Sequence, residues 1–327
     1  MPSPHPDTAT VTSLVEDAIT APSMHNAQPW KFHHRSGTRT IELHGDRERT
    51  MPRTDPEGRA LHLGCGAALF NLRVGAAKAG FEPVTRLLPS PGDPWHLADV
   101  ELREAALPDD EMRSMYPALR RRHTSRFPFT DEEVPDAILD GLQAAALLEG
   151  ARLLVPDAWH VDVLLGLVQD AEHYEADDAA AREETERWTS LPDEESRPDG
   201  IPASAFGPRQ SGASAPVRDF GGRRPDPGRA TARFERRPQI AILGTELDTP
   251  LDWLRAGQAL QRVLLRATLD SVVTSMTSQP LEWPELRWTA RDPVSAMGHV
   301  HMIMRLGYGP EGPATPRRPA REVLTIA

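Results

Sequence analysis

The 327-residue sequence predicts a duplicated globular fold, two related halves that each mix helices and strands. Three observations predict it. Leu63–Gly80 reads as a helix of small and apolar residues, and Trp253–Ser275 as a second of the same kind. Gly66, Ala68, Leu69, Leu72 and Ala76 of the first share their spacing with Gly257, Ala259, Leu260, Val263 and Ala267 of the second, and each helix precedes a proline-bearing loop, at Pro83 and Pro280. Between them, Arg120–Phe129 sets three arginines, hydroxyls and a fourth arginine just ahead of a fresh helical pattern, as though the chain began again.

Taken in order, residues 1–10 read as a frayed Pro-rich tail. Val11–Thr20 has helical spacing and is stopped by Ala21-Pro22-Ser23. The loop Ala21–Trp30 follows, with two prolines, then strand-like runs at Thr40–Leu43 and Leu97–Leu102 on either side of the first long helix. Thr130 and Asp131 are good N-cap residues, with Glu132 and Glu133 in the first turn of a helix running to about Leu148. A strand at Ala151–Val155 and a helix near Trp159–Tyr174 come next. From about 176 to 237 the composition turns polar, Pro/Gly-rich and poor in aliphatics, with isolated aromatics at Trp188, Phe206, Phe220 and Phe234. A segment this long without structure is a lid or a linker, and its aromatics favour a lid that docks. Strands at Gln239–Gly244 and His299–Leu306 flank the second long helix, and a Gly/Pro-rich tail spans Gly307–Pro319.

The bulk numbers exclude several classes. A net charge of −11 argues against a general nucleic-acid binder. No apolar run approaches the roughly 20 residues needed to span a bilayer, and the N-terminus lacks the charged and apolar regions of a signal peptide. A single cysteine, Cys65, excludes an internal disulfide, fits the cytosol, and reads as a small core residue at a helix start. The expectation is therefore a cytoplasmic protein. Only Lys31 and Lys78 are lysines, so any phosphate held by side-chain charge is held by arginine.

Arg120–Arg126 has the make-up of an anion seat, because guanidinium forks match phosphate oxygens. When the helix before Ala21–Trp30 is laid on Leu139–Ala146, Pro22, Ser23 and Asn26 meet Ala145, Ala146 and Glu149. The second half has lost the polar loop and kept the scaffold. Of two pseudo-equivalent clefts, only one receives both the arginine seat and the intact loop. That loop presents a hydroxyl, a carboxamide and backbone N–H groups from a stiffened turn, which suits the edge of a planar heteroaromatic ring whose phosphate is anchored elsewhere.

Together the Pro-Ser-Met-His-Asn-Ala-Gln-Pro-Trp loop, Arg-Arg-His-Thr-Ser-Arg, the Gly-Cys-Gly-Ala-Ala-Leu-Phe-Asn-Leu-Arg helix and the Pro-Arg-Arg-Pro tail resemble the nitroreductase superfamily of FMN flavoproteins, most closely its fused, two-half Acg-type branch. The resemblance implies an α+β fold of antiparallel sheets surrounded by helices. It implies a first half at 1–115 and a second at 116–327, the latter carrying the lid-like insertion. A pseudo-dimer within one chain is compatible with a monomer. Carried over residue by residue, it places Arg122, Thr124 and Arg126 at the FMN phosphate and ribityl chain, with Arg121 adjacent, and Arg317 or Arg318 at the phosphate. Pro22, Ser23, Met24 and Asn26 would border the isoalloxazine, and Met276, Thr277 and Ser278 its reactive edge. Chemistry carried by a flavin calls for no catalytic side chain. NAD(P)H is the implied reductant and a nitroaromatic, quinone or similar small molecule the acceptor.

This N-terminus departs from the family pattern: His5-Pro6-Asp7 stands where the family has a basic start. The expectation is one FMN per chain, the other cleft being empty or filled. A lid closed over the ring would make an FMN-storage or sequestering protein instead, and a cofactor-free scaffold is a third reading. No metal set is expected. His299 and His301 share a strand face but lack a third ligand, and His33 and His34 point opposite ways when extended. Gly64-Cys65-Gly66 lacks the third glycine of a dinucleotide fingerprint. Arg35, Arg39, Arg47, Arg49 and Arg53 form a basic patch read as solvated.

Overall fold

The structure, a computed structural model, describes residues 5–190, 197–211, 215–221, 228–295 and 297–327. In chain order the helices are α1 Thr8–Ala18, α2 Arg59–Lys78, α3 Asp110–Met115, α4 Asp136–Leu148, α5 Ala158–Asp177, α6 Ala179–Arg187, α7 Pro250–Leu269, α8 Pro284–Thr289 and α9 Ala320–Val323. The strands are β1 Trp30–His34, β2 Thr40–Gly45, β3 Phe81–Leu87, β4 His96–Glu104, β5 Arg152–Leu154, β6 Thr189–Ser190, β7 Ile201–Pro202, β8 Arg209–Gln210, β9 Thr231–Ala232, β10 Gln239–Thr245, β11 Val273–Thr277, β12 His299–Gly307 and β13 Leu324–Ile326.

The fold is α+β. Its two main sheets run β1-β2-β4-β3 and β5-β10-β12-β11, the same order of strands in both, with every neighbouring pair antiparallel. Strand β13 then joins β1 in parallel, so the chain's end returns to the first sheet. Helix α2 packs on the first sheet through Leu69 and Leu72, and α7 on the second through Leu260 and Val263. The two helices lie against each other at Gly66 and Gly257.

The residue patterns explain the layers. In β1 and β2, Trp30, Phe32, Ile41 and Leu43 are buried while Lys31, His33, Glu42 and His44 are half-exposed, the alternation of a sheet covered on one face. Strand β10 has no such alternation, because α7 covers Ala241 and Leu243 on one side while Leu164 and Leu167 of α5 cover Ile240 and Ile242 on the other. Thr249 and Asp252 form a capping box at the start of α7, with Pro250 in its first turn.

Several expectations need correction. Helix α4 starts at Asp136 after Pro135, not at Thr130. Thr130 N–H instead donates to Tyr308 O at 2.7 Å, and Asp131 accepts from Arg236 N at 3.2 Å. The long helix expected to Ser275 ends at Leu269, because Ser271 turns left-handed (φ 60°) and the chain reverses into β11. Pro83 lies within β3 rather than in a loop; β3 is an edge strand, where a missing N–H is tolerated. Of the expected N-terminal tail, residues 1–4 lie outside the described residues, and Asp7 already caps α1 by accepting from Thr10 N at 2.8 Å.

Parts of the 176–237 segment, at 191–196, 212–214 and 222–227, also lie outside the described residues. The rest is not structureless, since it includes α6 and strands β6–β9. Trp188, Phe206 and Phe234 are buried. Trp188 packs on Ala27 and Met51, while Phe206 and half-buried Phe220 cluster with Ile201. Among the described residues no helix is long and apolar enough to cross a membrane.

Candidate functional site

The loop between α1 and β1 is unusual in its backbone. His25, Asn26 and Gln28 have φ of 50°, 55° and 54°, a left-handed conformation that L side chains other than Asn and Asp adopt at a cost. The surroundings hold it there. Ser23 Oγ accepts from Gln28 N at 2.9 Å, Asn26 Nδ2 donates to Gly200 O (2.9 Å) and Pro316 O (3.1 Å), and Gln28 Nε2 donates to Pro198 O at 2.7 Å. Loop, insertion and C-terminal tail are thus sewn together by two carboxamides.

Beside this loop is a cleft with about 900 Å³ of empty space, solvent at its mouth included. Pro22, Ser23, Met24 and Asn26 line it, together with Arg122, Thr124 and Arg126, Met276 and Ser278, and Arg317. Four segments far apart in sequence therefore converge. Three of the residues singled out from sequence do not face it. Arg121 lines a separate hollow with Thr268 and Val272. Thr277 is buried with its hydroxyl on Pro216 O. Arg318 is engaged elsewhere, its N–H on Gln28 Oε1 at 2.8 Å and its guanidinium near Asp46 at 3.4 Å. Arg49 and Arg53 of the supposedly solvated patch pair with Asp199 (2.8 Å) and with Asp178.

The electrostatics of the cleft are lopsided. Arg122 is buried, its Nη2 reaches Thr20 O at 3.3 Å, and its Nε has no partner among the described residues. Burial, and then the Arg317 cation beside it, bring its pKa down to about 9. Burial lowers Arg317 to about 10, and burial together with Arg218 lowers Arg126 to about 10. Arg317 spends donors on the end of α1, at Ile19 O (2.9 Å) and Ala21 O (3.1 Å), and on Asn26 Oδ1 (2.9 Å). Among the described residues no carboxylate pairs with any of these three arginines. Buried charges are ordinarily paired, so uncompensated cations around one cleft fit an anion.

Other lining groups were not singled out from sequence. Leu63 and Gly64 of α2, and Leu260 of α7, form an apolar wall, and Ile201 and Phe220 of the insertion close over it. His25 also lines the cleft, and its Nε2 takes a hydrogen bond from Arg218 Nη1 at 2.9 Å. Arg218 in turn bridges Glu175 and Glu282, each at 2.8 Å, and Glu282 accepts from Ser278 Oγ at 2.9 Å. Arg218 was hidden inside a segment whose composition reads as loop. Its one sequence signal is a lone arginine two residues before an isolated aromatic, Phe220.

Elements α4 and β5 are joined by only three residues, and Glu149 stands where the overlay sets Asn26. Glu149 is buried between Arg73 (2.6 Å) and Arg262 (2.8 Å), so ion-paired side chains fill that position.

No family model matches the chain. Relatives do. Putative NAD(P)H nitroreductase Rv3131 of Mycobacterium tuberculosis H37Rv is 31% identical over 324 residues, covering 98% of this chain and 92% of the relative. Putative NAD(P)H nitroreductase acg of the same strain is 29% identical over 337 residues, covering 98% of both. Among solved structures, the FMN-dependent nitroreductase NfnB of Mycobacterium smegmatis in complex with NADPH overlaps 64% of this chain and 96% of its own, at 14% identity and a TM-score of 0.40. An overlap that partial assigns no activity.

Proposed function

This chain belongs to the Acg-type nitroreductase family of its mycobacterial relatives, and from that membership we propose that it is an FMN-binding NAD(P)H oxidoreductase whose flavin occupies the arginine-lined cleft. One observation carries the placement: Arg122 is buried in the cleft wall with, among the described residues, no carboxylate partner and an unpartnered Nε, and a second cation, Arg317, lies beside it. Phosphate is the ligand group that relieves such a pair, and Arg126 and Thr124 extend the polar wall from the same segment. Ser23 retains a hydroxyl proton to donate, since its oxygen only accepts from Gln28 N. Met24, Leu63 and Met276 supply apolar surface for a planar ring. When bound, FMN would supply the redox chemistry between NAD(P)H and a nitroaromatic, quinone or similar acceptor. The side chains bind, orient and exclude water.

On this reading the two halves form a pseudo-dimer, 1–115 and 116–327, with one flavin per chain. The loop comes from the first half, the arginine segment from the second, and the Glu149 ion pairs close the other position. The anaerobic test is mixing with NADH or NADPH, where bleaching of bound flavin by nicotinamide is the expected result. A second reading, storage of FMN under a closed lid, is favoured by the bonds from Asn26 and Gln28 to Gly200 and Pro198 of the insertion. Bleaching by dithionite alone would select it.

A further inference from the structure

The outer face of the first sheet carries a side-chain cluster that the cleft does not use. His33 on β1 lies directly across from Glu42 on β2, and His44 is two residues further along β2 on the same face. One ligand atom from each of the three lies within 4.8 Å of the others. His44 Nε2 and Glu42 Oε2 are 3.1 Å apart, close to the roughly 3.3 Å separating two donors that share a tetrahedral ion at about 2.0 Å from each. The His33 and His44 rings stack at 4.5 Å, and no hydrogen bond engages the His33 ring nitrogens among the described residues.

The surroundings orient the set. A register shift between Leu43 and His44 brings His44 opposite His96 of β4, and those rings stack at 4.4 Å with 13° between planes. His96 is itself fixed by Asp99 (2.7 Å) and Ser90 (3.0 Å), so the plane of His44 is fixed in turn. Lys31, the one lysine on this face, is drawn off to Asp46 at 3.0 Å. All three candidate ligands are half-exposed, open to an ion from solvent. A simple His44–Glu42 ion pair would not require His33 to stand within reach of the same point.

We propose that His33, Glu42 and His44 bind one divalent transition-metal ion of zinc type, leaving at least one coordination position to water. Two imidazoles and one carboxylate suit zinc, cobalt or nickel and disfavour magnesium or calcium, which take all-oxygen sets. The site joins β1 to β2 and shares no residue with the arginine cleft.

The test is calorimetric titration of untagged full-length protein with Zn²⁺, and a parallel Co²⁺ titration followed in the visible. The expected result is one site per chain and a Co²⁺ ligand-field spectrum of low coordination number. His96→Asn, which removes the ring stacked on His44 but no candidate ligand, should weaken Zn²⁺ binding about tenfold, and His44→Asn or Glu42→Gln by about a hundredfold or more. Circular dichroism confirms that each variant is folded, and FMN content should not change in any of them. Absence of a stoichiometric site in the wild type, or undiminished binding in folded His44→Asn and Glu42→Gln, overturns the proposal.

Discussion

Gly66 and Gly257 face each other across the α2–α7 crossing so closely that neither has room for a side chain. A Cβ on Gly257 would lie 2.2 Å from Leu63 O, and one on Gly66 would lie 2.4 Å from Leu254 O. The contact is reciprocal, each glycine meeting the carbonyl three residues before the other, as two copies of one helix would meet about a twofold axis. Backbone on both sides leaves nothing flexible to yield. Gly257→Ala should therefore destabilise the chain by about 3 kcal/mol or more, the upper end of overpacking costs. Gly141→Ala in α4, where a Cβ meets nothing within 4 Å, should instead stabilise by about 0.5–1 kcal/mol. Urea unfolding of both variants checks the pair, and equal midpoints would contradict this packing.

Arg218 is a buried electrostatic tie between the insertion and the body. It is buried, and joins Glu175, Glu282 and His25. Burial pushes the carboxyl of Glu282 up in spite of Arg218, whereas at Glu175 burial is outweighed by Arg218 and its hydrogen bonds, which hold that carboxyl low. Arg218→Ala strands Glu282, at a cost of about 3–5 kcal/mol for breaking a buried pair. The expected outcome is faster proteolytic cleavage within 197–221 and quicker reduction of bound flavin by nicotinamide. Cleavage at the wild-type rate would mean that other contacts, such as Arg49–Asp199 and the bonds from Asn26 and Gln28, seat the insertion without Arg218.

His25 predicts an acid-side loss of stability. Burial first, then Arg218 and Arg126, hold its pKa well below 6.5. A group depressed in this way stays neutral in the folded chain while the unfolded chain takes up a proton. Its contribution is complete above the unfolded value and is lost as pH falls below about 6.5, by up to about 1.4 kcal/mol per pH unit until the folded pKa is reached. His301 behaves likewise, so the informative quantity is the difference between wild type and His25→Gln. The wild type should lose stability more steeply below pH 6.5, and parallel curves would contradict the assignment.

The sequence made the scaffold legible because its signals are local. Small-residue spacing located α2 and α7, and apolar runs located β10 and β12. The left-handed turn at Ser271 carries no glycine, so the end of α7 could not be read. β3 has no buried residue and shows no buried-and-exposed alternation, and β13 is only three residues long and owes its pairing to β1. At the cleft, residue type picked out the Arg120–Arg126 stretch, and the family resemblance Arg122, Arg126 and Arg317, but direction is a tertiary property. Nothing in Arg-Arg-His-Thr-Ser-Arg says that Arg121 turns away while Arg122 turns inward. The His33 cluster was missed because its ligands meet across strands, and only the register brings Glu42 and His44 to His33.

Titration of the apoprotein with FMN, comparing wild type with Arg122→Ala, tests the central claim most directly. The account predicts one flavin per chain in the wild type. It predicts a loss of roughly 1.5–3 kcal/mol in Arg122→Ala, the scale of a hydrogen bond to a charged group, and no loss in Arg121→Ala. Two flavins per chain, or an FMN dissociation constant that Arg122→Ala leaves unchanged, would contradict it.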